Sequence, residues 1–240
     1  MRIAVLSDIH GNLAALEAVV ADFKKRGVDA VVNLGDSVSG PLLPRETAQY
    51  LMAQDWVHLA GNHERQLLKL SPDAGFSDRF ARSELGAAEL DWLGPLNHTQ
   101  RLSEQVLLCH GAPGNDHLAL LQSAGRPATS SEVEQRLGGY QAKLVLCGHT
   151  HVPRCVRTAS GGLVVNPGSV GLQAFQDDYP YPHVVESGSP DARYAIVERS
   201  AADWTTTLIS VPYPHSQMAE LARMRNQPVW ERALLTGYAQ

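Results

Sequence analysis

Five places in this 240-residue chain set a potential metal-binding side chain at the end of an apolar run: Asp8-Ile9-His10, Gly35-Asp36, Gly61-Asn62-His63-Glu64, Cys109-His110-Gly111 and Gly148-His149-Thr150-His151. Five of the ten histidines fall in these stretches, a concentration that scattered surface histidines would not give. Imidazole, carboxylate and amide oxygen together suit borderline cations such as Mn²⁺, Fe²⁺ or Fe³⁺, Zn²⁺, Co²⁺ and Ni²⁺. The set has no thiolate, which disfavours a closed structural zinc site. The candidate ligands Asp8, His10, Asp36, Asn62, His110, His149 and His151 are enough for two ions, and a metal pair supports hydrolysis by activating water at neutral pH. Each stretch alone is weak, since Gly-Asp is commonly a turn and Asn-His commonly a helix cap. Their joint occurrence, in this order, carries the weight.

Residues spread from 8 to 151 can meet only if the fold gathers them. Residues 3–6 are a short apolar run that reads as a buried strand. Leu13, Leu16, Val20 and Phe23 recur at helical spacing, with Asn12 placed to cap the first turn and Gly27 to stop the last. Residues 30–34 read as a second strand, completing a βαβ unit. The same grammar predicts helices over 44–54, 64–70, 78–93 and 130–137, and strands over 57–60, 106–109 and 144–147. In open α/β sheets the ligand crevice lies beyond the carboxyl ends of the strands. Neighbouring ends of one sheet are ~5 Å apart, so the five stretches are expected along one rim. Asp8/His10 and His149/His151 are i, i+2 pairs, which point to the same side of an extended chain. Beyond 151 the pattern changes to hairpins, 152–157 with 163–165 and 194–198 with 205–211, and then to helices over 215–225 and 229–237. Segment 173–192, rich in Tyr, Pro, Asp and Ser, shows no periodicity and reads as a long loop of the kind that carries function.

The order D-x-H, Gly-Asp, Gly-Asn-His-Glu, His, Gly-His-Thr-His, followed by Asn-Pro-Gly-Ser-Val at 166–170, resembles the calcineurin-like metallophosphoesterase superfamily. The match looks nearest to its small prokaryotic phosphodiesterase-type members, over residues 1–172 and more weakly over 193–211. The resemblance implies an α/β (α+β) fold, a two-sheet mixed β-sandwich flanked by helices with a dimetal site at the strand carboxyl ends. It implies one domain over 1–240, with 1–172 as metal-binding core and 193–240 as closing hairpin and terminal helices. Asp8, His10 and His151 would hold one ion, and Asn62, His110 and His149 the other, with Asp36 bridging. His63 matches the outer histidine that protonates the leaving group. The implied cofactors are two divalent or trivalent transition-metal ions, Mn, Fe or Zn, with Ni and Co also suited. The implied reaction is attack of a bridging hydroxide on a small phosphate ester, a diester ahead of a monoester or nucleotide. A non-catalytic protein-binding scaffold of the same fold is the competing class, but such a descendant should have lost ligands. One departure is informative: Gly35-Asp36-Ser37-Val38-Ser39-Gly40-Pro41 lacks the Arg that follows this motif in protein Ser/Thr phosphatases and symmetrical dinucleoside tetraphosphatases.

Around this core, Glu64 reads either as the partner that fixes the His63 tautomer or as a helix-start carboxylate. His117, Tyr179, Tyr181 and His183 could line a substrate pocket from loops or could be ordinary surface. Cys109 and Cys147 adjoin ligands but should point away, because neighbouring strand residues alternate. A net charge of −5 with one basic cluster, Lys24-Lys25-Arg26, gives no reason to expect specific nucleic-acid binding. No stretch approaches the ~20 apolar residues of a membrane span, and a cytoplasmic location follows as the default expectation. An oligomer is not indicated; Met218, Leu221 and Met224 are expected to serve the core.

Overall fold

The computed structural model describes residues 1–201 and 203–240. Arg2–Leu6 (β1), Ala30–Asn33 (β2) and Val57–His58 (β3) run parallel. Ala192–Arg199 (β13) joins β1 antiparallel, and Trp204–Val211 (β14) joins β13, giving the sheet order β14-β13-β1-β2-β3. A second sheet has the order β4-β5-β8-β10-β9, built from Thr99–Ser103 (β4), Val106–Cys109 (β5), Leu144–Leu146 (β8), Leu163–Asn166 (β10) and Arg154–Arg157 (β9). In it β5, β8 and β10 are parallel, whereas β4 and β9 are antiparallel edges.

The period of two along each strand explains how the layers assemble. Ile3 and Val5 of β1 pack with Val106 and Leu108 of β5 in a core between the sheets. Their neighbours Ala4 and Leu6 face the opposite way, onto Leu16, Val19, Val20 and Phe23 of Leu13–Arg26 (α1). Likewise Leu107 and Cys109 turn outward onto Val133 and Leu137 of Ser130–Leu137 (α6). Both faces of each central strand are covered, which is why these strands read as unbroken apolar runs. The result is the expected two-sheet mixed sandwich with helices outside. Cys147 lies with Cys109 in that outer cluster, away from the ligands, while Cys155 is exposed.

Pro44–Met52 (α2) and Asn62–Leu68 (α3) follow β2 and β3, and His215–Met224 (α7) and Pro228–Thr236 (α8) end the chain. Three expectations change. The helix predicted over 78–93 is two, Phe76–Glu84 (α4) and Ala87–Leu93 (α5). It breaks at Gly86, whose N–H is accepted by Glu89 at 2.8 Å in a capping box that starts α5. The segment 173–192 is not a structureless loop: Ala174–Asp177 (β11) and His183–Glu186 (β12) form a hairpin. Each arm is four residues long, too short to show alternation, and the Tyr-Pro-rich composition belongs to its turn. A second small hairpin, Gln122–Ser123 (β6) with Arg126–Pro127 (β7), stands before α6. Finally, the candidate ligands do not share one sheet edge: Asp8, Asp36 and Asn62 follow strands of the first sheet, and His110, His149 and His151 follow strands of the second. No helix of the described residues is long and apolar enough to cross a membrane.

Candidate metal centre

The loops that carry the candidate ligands are strained in a way the sequence did not announce. Asp8, His10, Asp36, His149 and His151 all have positive φ, between 52° and 72°, and they are five of the seven described non-glycine residues that do. The i, i+2 pairs therefore leave their strands in left-handed turns and not as extended chain. Such a conformation costs roughly 1–3 kcal/mol per residue and persists where surrounding contacts over-determine it, most often at functional sites. Those contacts are backbone bonds between the loops. Asp8 and His10 donate their N–H groups to Gly35 and Asp36, Gly148 donates to His110, and Gly171 donates to Asp8. Glu64 adds a clamp: fully buried, it accepts from the N–H groups of Gly61 at 2.7 Å and of Asp36 and Ser37 at 2.8 Å. It caps α3 and ties that helix to the Asp36 loop, so it is not the partner of His63. Gly61 is required here, because a Cβ would collide with the Asp36 carboxylate.

Two clusters could hold an ion each: Asp8, His10 and His151, and Asp36, His110 and His149, with the ligand atoms of each cluster within 4.8 Å of one another. Their chemistry fits cations. His10, His110 and His151 donate Nδ1–H to the carbonyls of Ser39, Leu34 and Leu172 at 2.7, 2.9 and 2.7 Å. Their Nε2 atoms are thereby turned inward. His10 Nε2 and His151 Nε2 stand 3.2 Å apart, and in neutral rings these are two lone pairs facing each other. Asp8 Oδ1 is 3.4 Å from His151 Nε2, buried and without a hydrogen-bond donor. In the second cluster His110 Nε2 lies 3.1 Å from Asp36 Oδ2 and 3.2 Å from Asn62 Oδ1, so the amide oxygen joins the set. In the first cluster such a buried meeting of acceptors is expensive unless a cation satisfies it.

Protonation follows the same geometry. Burial, helped by the neighbouring His151, pulls His10 down to about 4, and burial with repulsion from His110 pulls His149 down to about 3. Both are neutral, as metal ligands must be. Burial would also lower His110, but the Asp36 carboxylate beside it outweighs that and raises it to about 10, so a proton there stands where a cation would. Burial works against ionised Asp8 and Asp36, yet His151 and His110 hold both carboxyls below their ordinary range.

His63 lies at the cleft beside these clusters, its ring 5.4 Å from that of His10. Its Nδ1 is 2.9 Å from Asp78 Oδ1, and burial is outweighed by Asp36 and Asp78, which raise the imidazole to about 9. Asp78 was not singled out from the sequence, where an acidic residue in the first turn of a helix is ordinary. Trp230 of α8 was also missed; its indole meets His10 edge-on at 6.1 Å and walls a cleft of about 200 Å³. Asn12 caps α1 as expected, accepting the Ala15 N–H at 3.1 Å. His117 meets His149 edge-on at 5.3 Å and stacks on Tyr179 at 4.6 Å. Tyr181 stands further out, and His183 packs against Phe175.

A metallophosphoesterase of Sphaerobacter thermophilus has a similar structure, with a TM-score of 0.73 and 25% identity over 95% of each chain. A hypothetical protein of Pyrococcus horikoshii OT3 shares the fold at the same TM-score of 0.73, with 20% identity over 98% of each chain. An uncharacterized protein of Methanocaldococcus jannaschii is 25% identical over 241 residues, 95% of this chain and 94% of its own. The family model described as calcineurin-like phosphoesterase superfamily domain matches residues 1–186, a span that includes every candidate ligand. The chain therefore belongs to the calcineurin-like phosphoesterase superfamily.

Proposed function

We propose that the protein is a dinuclear-metal-dependent phosphodiesterase acting on a small phosphate ester. The observation that carries this is the convergence of buried acceptors, His10 Nε2, His151 Nε2 and Asp8 Oδ1 in one cluster and His110, Asp36 and Asn62 in the other. Asp8, His10 and His151 would hold one ion, and Asn62, His110 and His149 the second, with Asp36 between them. The chemistry a cation pair supplies when bound is stabilisation of phosphoryl charge and activation of water as a nucleophile. The protein itself orients the ester and delivers the proton. With Nδ1 committed to Asp78, His63 presents Nε2–H to the leaving oxygen.

A diester is favoured over a monoester by the charge of the walls. Among the described residues no arginine or lysine lines the cleft, and Asp177 does. A monoester dianion would bring an extra negative charge with only the His63 imidazolium, already paired with Asp78, to meet it, whereas a diester carries only one. We place the protein in the cytoplasm, since Cys155 is exposed and unpaired, which suits a reducing compartment.

The test is hydrolysis of bis-p-nitrophenyl phosphate and of p-nitrophenyl phosphate by stripped protein reloaded with Mn²⁺, Fe²⁺, Zn²⁺, Co²⁺ or Ni²⁺. Faster turnover of the diester supports the proposal. Preference for the monoester moves the assignment to a phosphomonoesterase. Inactivity on both, with bound metal verified by elemental analysis, removes the hydrolase reading.

A further inference from the structure

The metal cleft continues into a second cavity of about 340 Å³, and the two share His117, His149, Phe175 and Asp177 as walls. This cavity lies between the β6–β7 and β11–β12 hairpins, which are joined where Tyr181 Oη accepts the Gly125 N–H at 3.2 Å. Two series of rings run outward from the candidate ligands. His149 meets His117 edge-on, and His117 stacks on Tyr179 with 17° between the planes. On the other side His151 meets Phe175 edge-on at 4.7 Å, and Phe175 meets His183 at 5.8 Å. Flat aromatic walls of this kind favour a flat aromatic guest.

The polar groups narrow the chemistry further. Two guanidinium groups reach the cavity, but neither is free to bind a second phosphate. Arg126 is paired with both carboxylate oxygens of Glu132 at 2.8 and 2.9 Å. Arg136 gives Nη1 to the carbonyls of Ala119 at 2.8 Å and Gln122 at 2.6 Å, and Nη2 to the Ser123 hydroxyl. The Gln122 side-chain amide has no partner among the described residues, so it offers one donor and one acceptor face. A nucleobase edge asks for that combination.

We propose that this cavity binds the base of a nucleoside carried as one ester substituent of the substrate, a reading that rests on the phosphodiesterase assignment above. Its volume is near the lower end of small-ligand pockets, roughly 300–1,000 Å³, which suits one nucleoside and no chain of further phosphates. The opening beside His149 places the phosphorus at the candidate ions while the ring occupies the space between the hairpins.

Two measurements test this. The first compares kcat/KM for thymidine 5′-p-nitrophenyl phosphate and for methyl p-nitrophenyl phosphate in metal-loaded protein. The nucleoside ester is expected to be favoured by about tenfold or more, as base stacking on aromatic side chains implies. Tyr179→Ala removes a wall, and Leu118→Trp obstructs the cavity; Tyr179 is 60% and Leu118 40% exposed, so neither change disturbs the core. Both should bring the ratio toward one, with KM carrying the change. The second measurement is saturation-transfer NMR of thymidine on metal-stripped protein, where contacts should appear and weaken in both variants. A ratio near one in the unaltered protein, or variants that leave ratio and thymidine contacts unchanged, overturns the proposal. If metal is bound and neither ester is cleaved, the phosphodiesterase reading falls, and thymidine binding alone decides the cavity.

Discussion

His63 Nδ1 lies 2.9 Å from Asp78 Oδ1, and that same oxygen accepts the Ser39 hydroxyl at 2.6 Å. The Ser39 carbonyl in turn accepts the Nδ1–H of His10 at 2.7 Å. One short loop after Asp36 thus orients both the proposed proton donor and a proposed metal ligand.

Asp78→Asn keeps the side chain's size and removes its charge. His63 then loses the partner that fixes Nδ1–H and helps hold its proton. We expect kcat to fall about 10–100-fold on diesters with alkyl leaving groups, in line with losses of orienting contacts. The fall should be much smaller with p-nitrophenol as leaving group, because that phenolate departs without a proton. KM and metal content should stay near their original values. Equal losses on both kinds of ester would show that Asp78 does not act through His63.

Gly61→Ala tests the packing of the second cluster. The added Cβ meets the Asp36 carboxylate, whose Oδ1 also accepts the His63 N–H at 2.9 Å. Asp36 must shift, and ligand displacement of this kind should weaken metal binding about 10–100-fold. Calorimetric titration of stripped protein should show this loss while the far-ultraviolet circular dichroism is retained. Unchanged affinity would mean that Asp36 is not held as a ligand in the orientation described.

Metal removal should lower stability, because it leaves His10 Nε2 and His151 Nε2 only 3.2 Å apart beside the buried Asp8 Oδ1 with no ion among them. Each site at about a hundredfold excess over its Kd contributes roughly 2.7 kcal/mol. At ~2–4 °C per kcal/mol for a chain of this length, Tm should drop by about 10 °C or more with chelator and recover on reloading. A Tm indifferent to chelation, in protein shown to lose its metal, would count against both clusters.

The candidate ligands were legible in the sequence because each stretch follows a buried run, whose end lies at the rim of its sheet. Asp36 and Asn62 are readable only beside the other stretches, since Gly-Asp alone is commonly a turn and Asn-His commonly a helix cap. Their partners could not be read so directly. Asp78 lies 15 positions beyond His63 in a different helix, where local spacing says nothing of contact. Trp230 reaches His10 from the far end of the chain through the packing of α8 against β11. The two sheets themselves were implied by family resemblance and not by periodicity, since fully covered strands look alike in either sheet. Positive φ at Asp8 and His149 also left no trace, because neither residue type demands it. Glu64 stays undecided in the sequence for a related reason: its position fits a capping carboxylate and a His63 partner equally, and only the backbone of the Asp36 loop decides between them.

His58 offers a pH test away from the ligands. Its ring lies between Trp56, at 6.0 Å, and Trp92, at 5.3 Å, while Nδ1 accepts weakly from Asn33 Nδ2 at 3.4 Å. Burial lowers it from its ordinary 6.5 to about 4. The folded protein therefore refuses a proton that the unfolded chain accepts between these values. Above pH 6.5 both states are neutral at this position and the ring has no pH-dependent effect. As pH falls from there toward 4, the unfolded state gains and stability is lost, by about 3 kcal/mol once both states are protonated. His58→Gln removes that titration and keeps a polar group for Asn33. Urea unfolding in chelator at pH 7 and pH 4.5 should show the unaltered protein losing roughly 2–3 kcal/mol more than the variant. Carboxylates and other histidines titrate in both proteins and cancel in the difference. Equal losses would mean that His58 is solvated enough in the fold to take its proton normally.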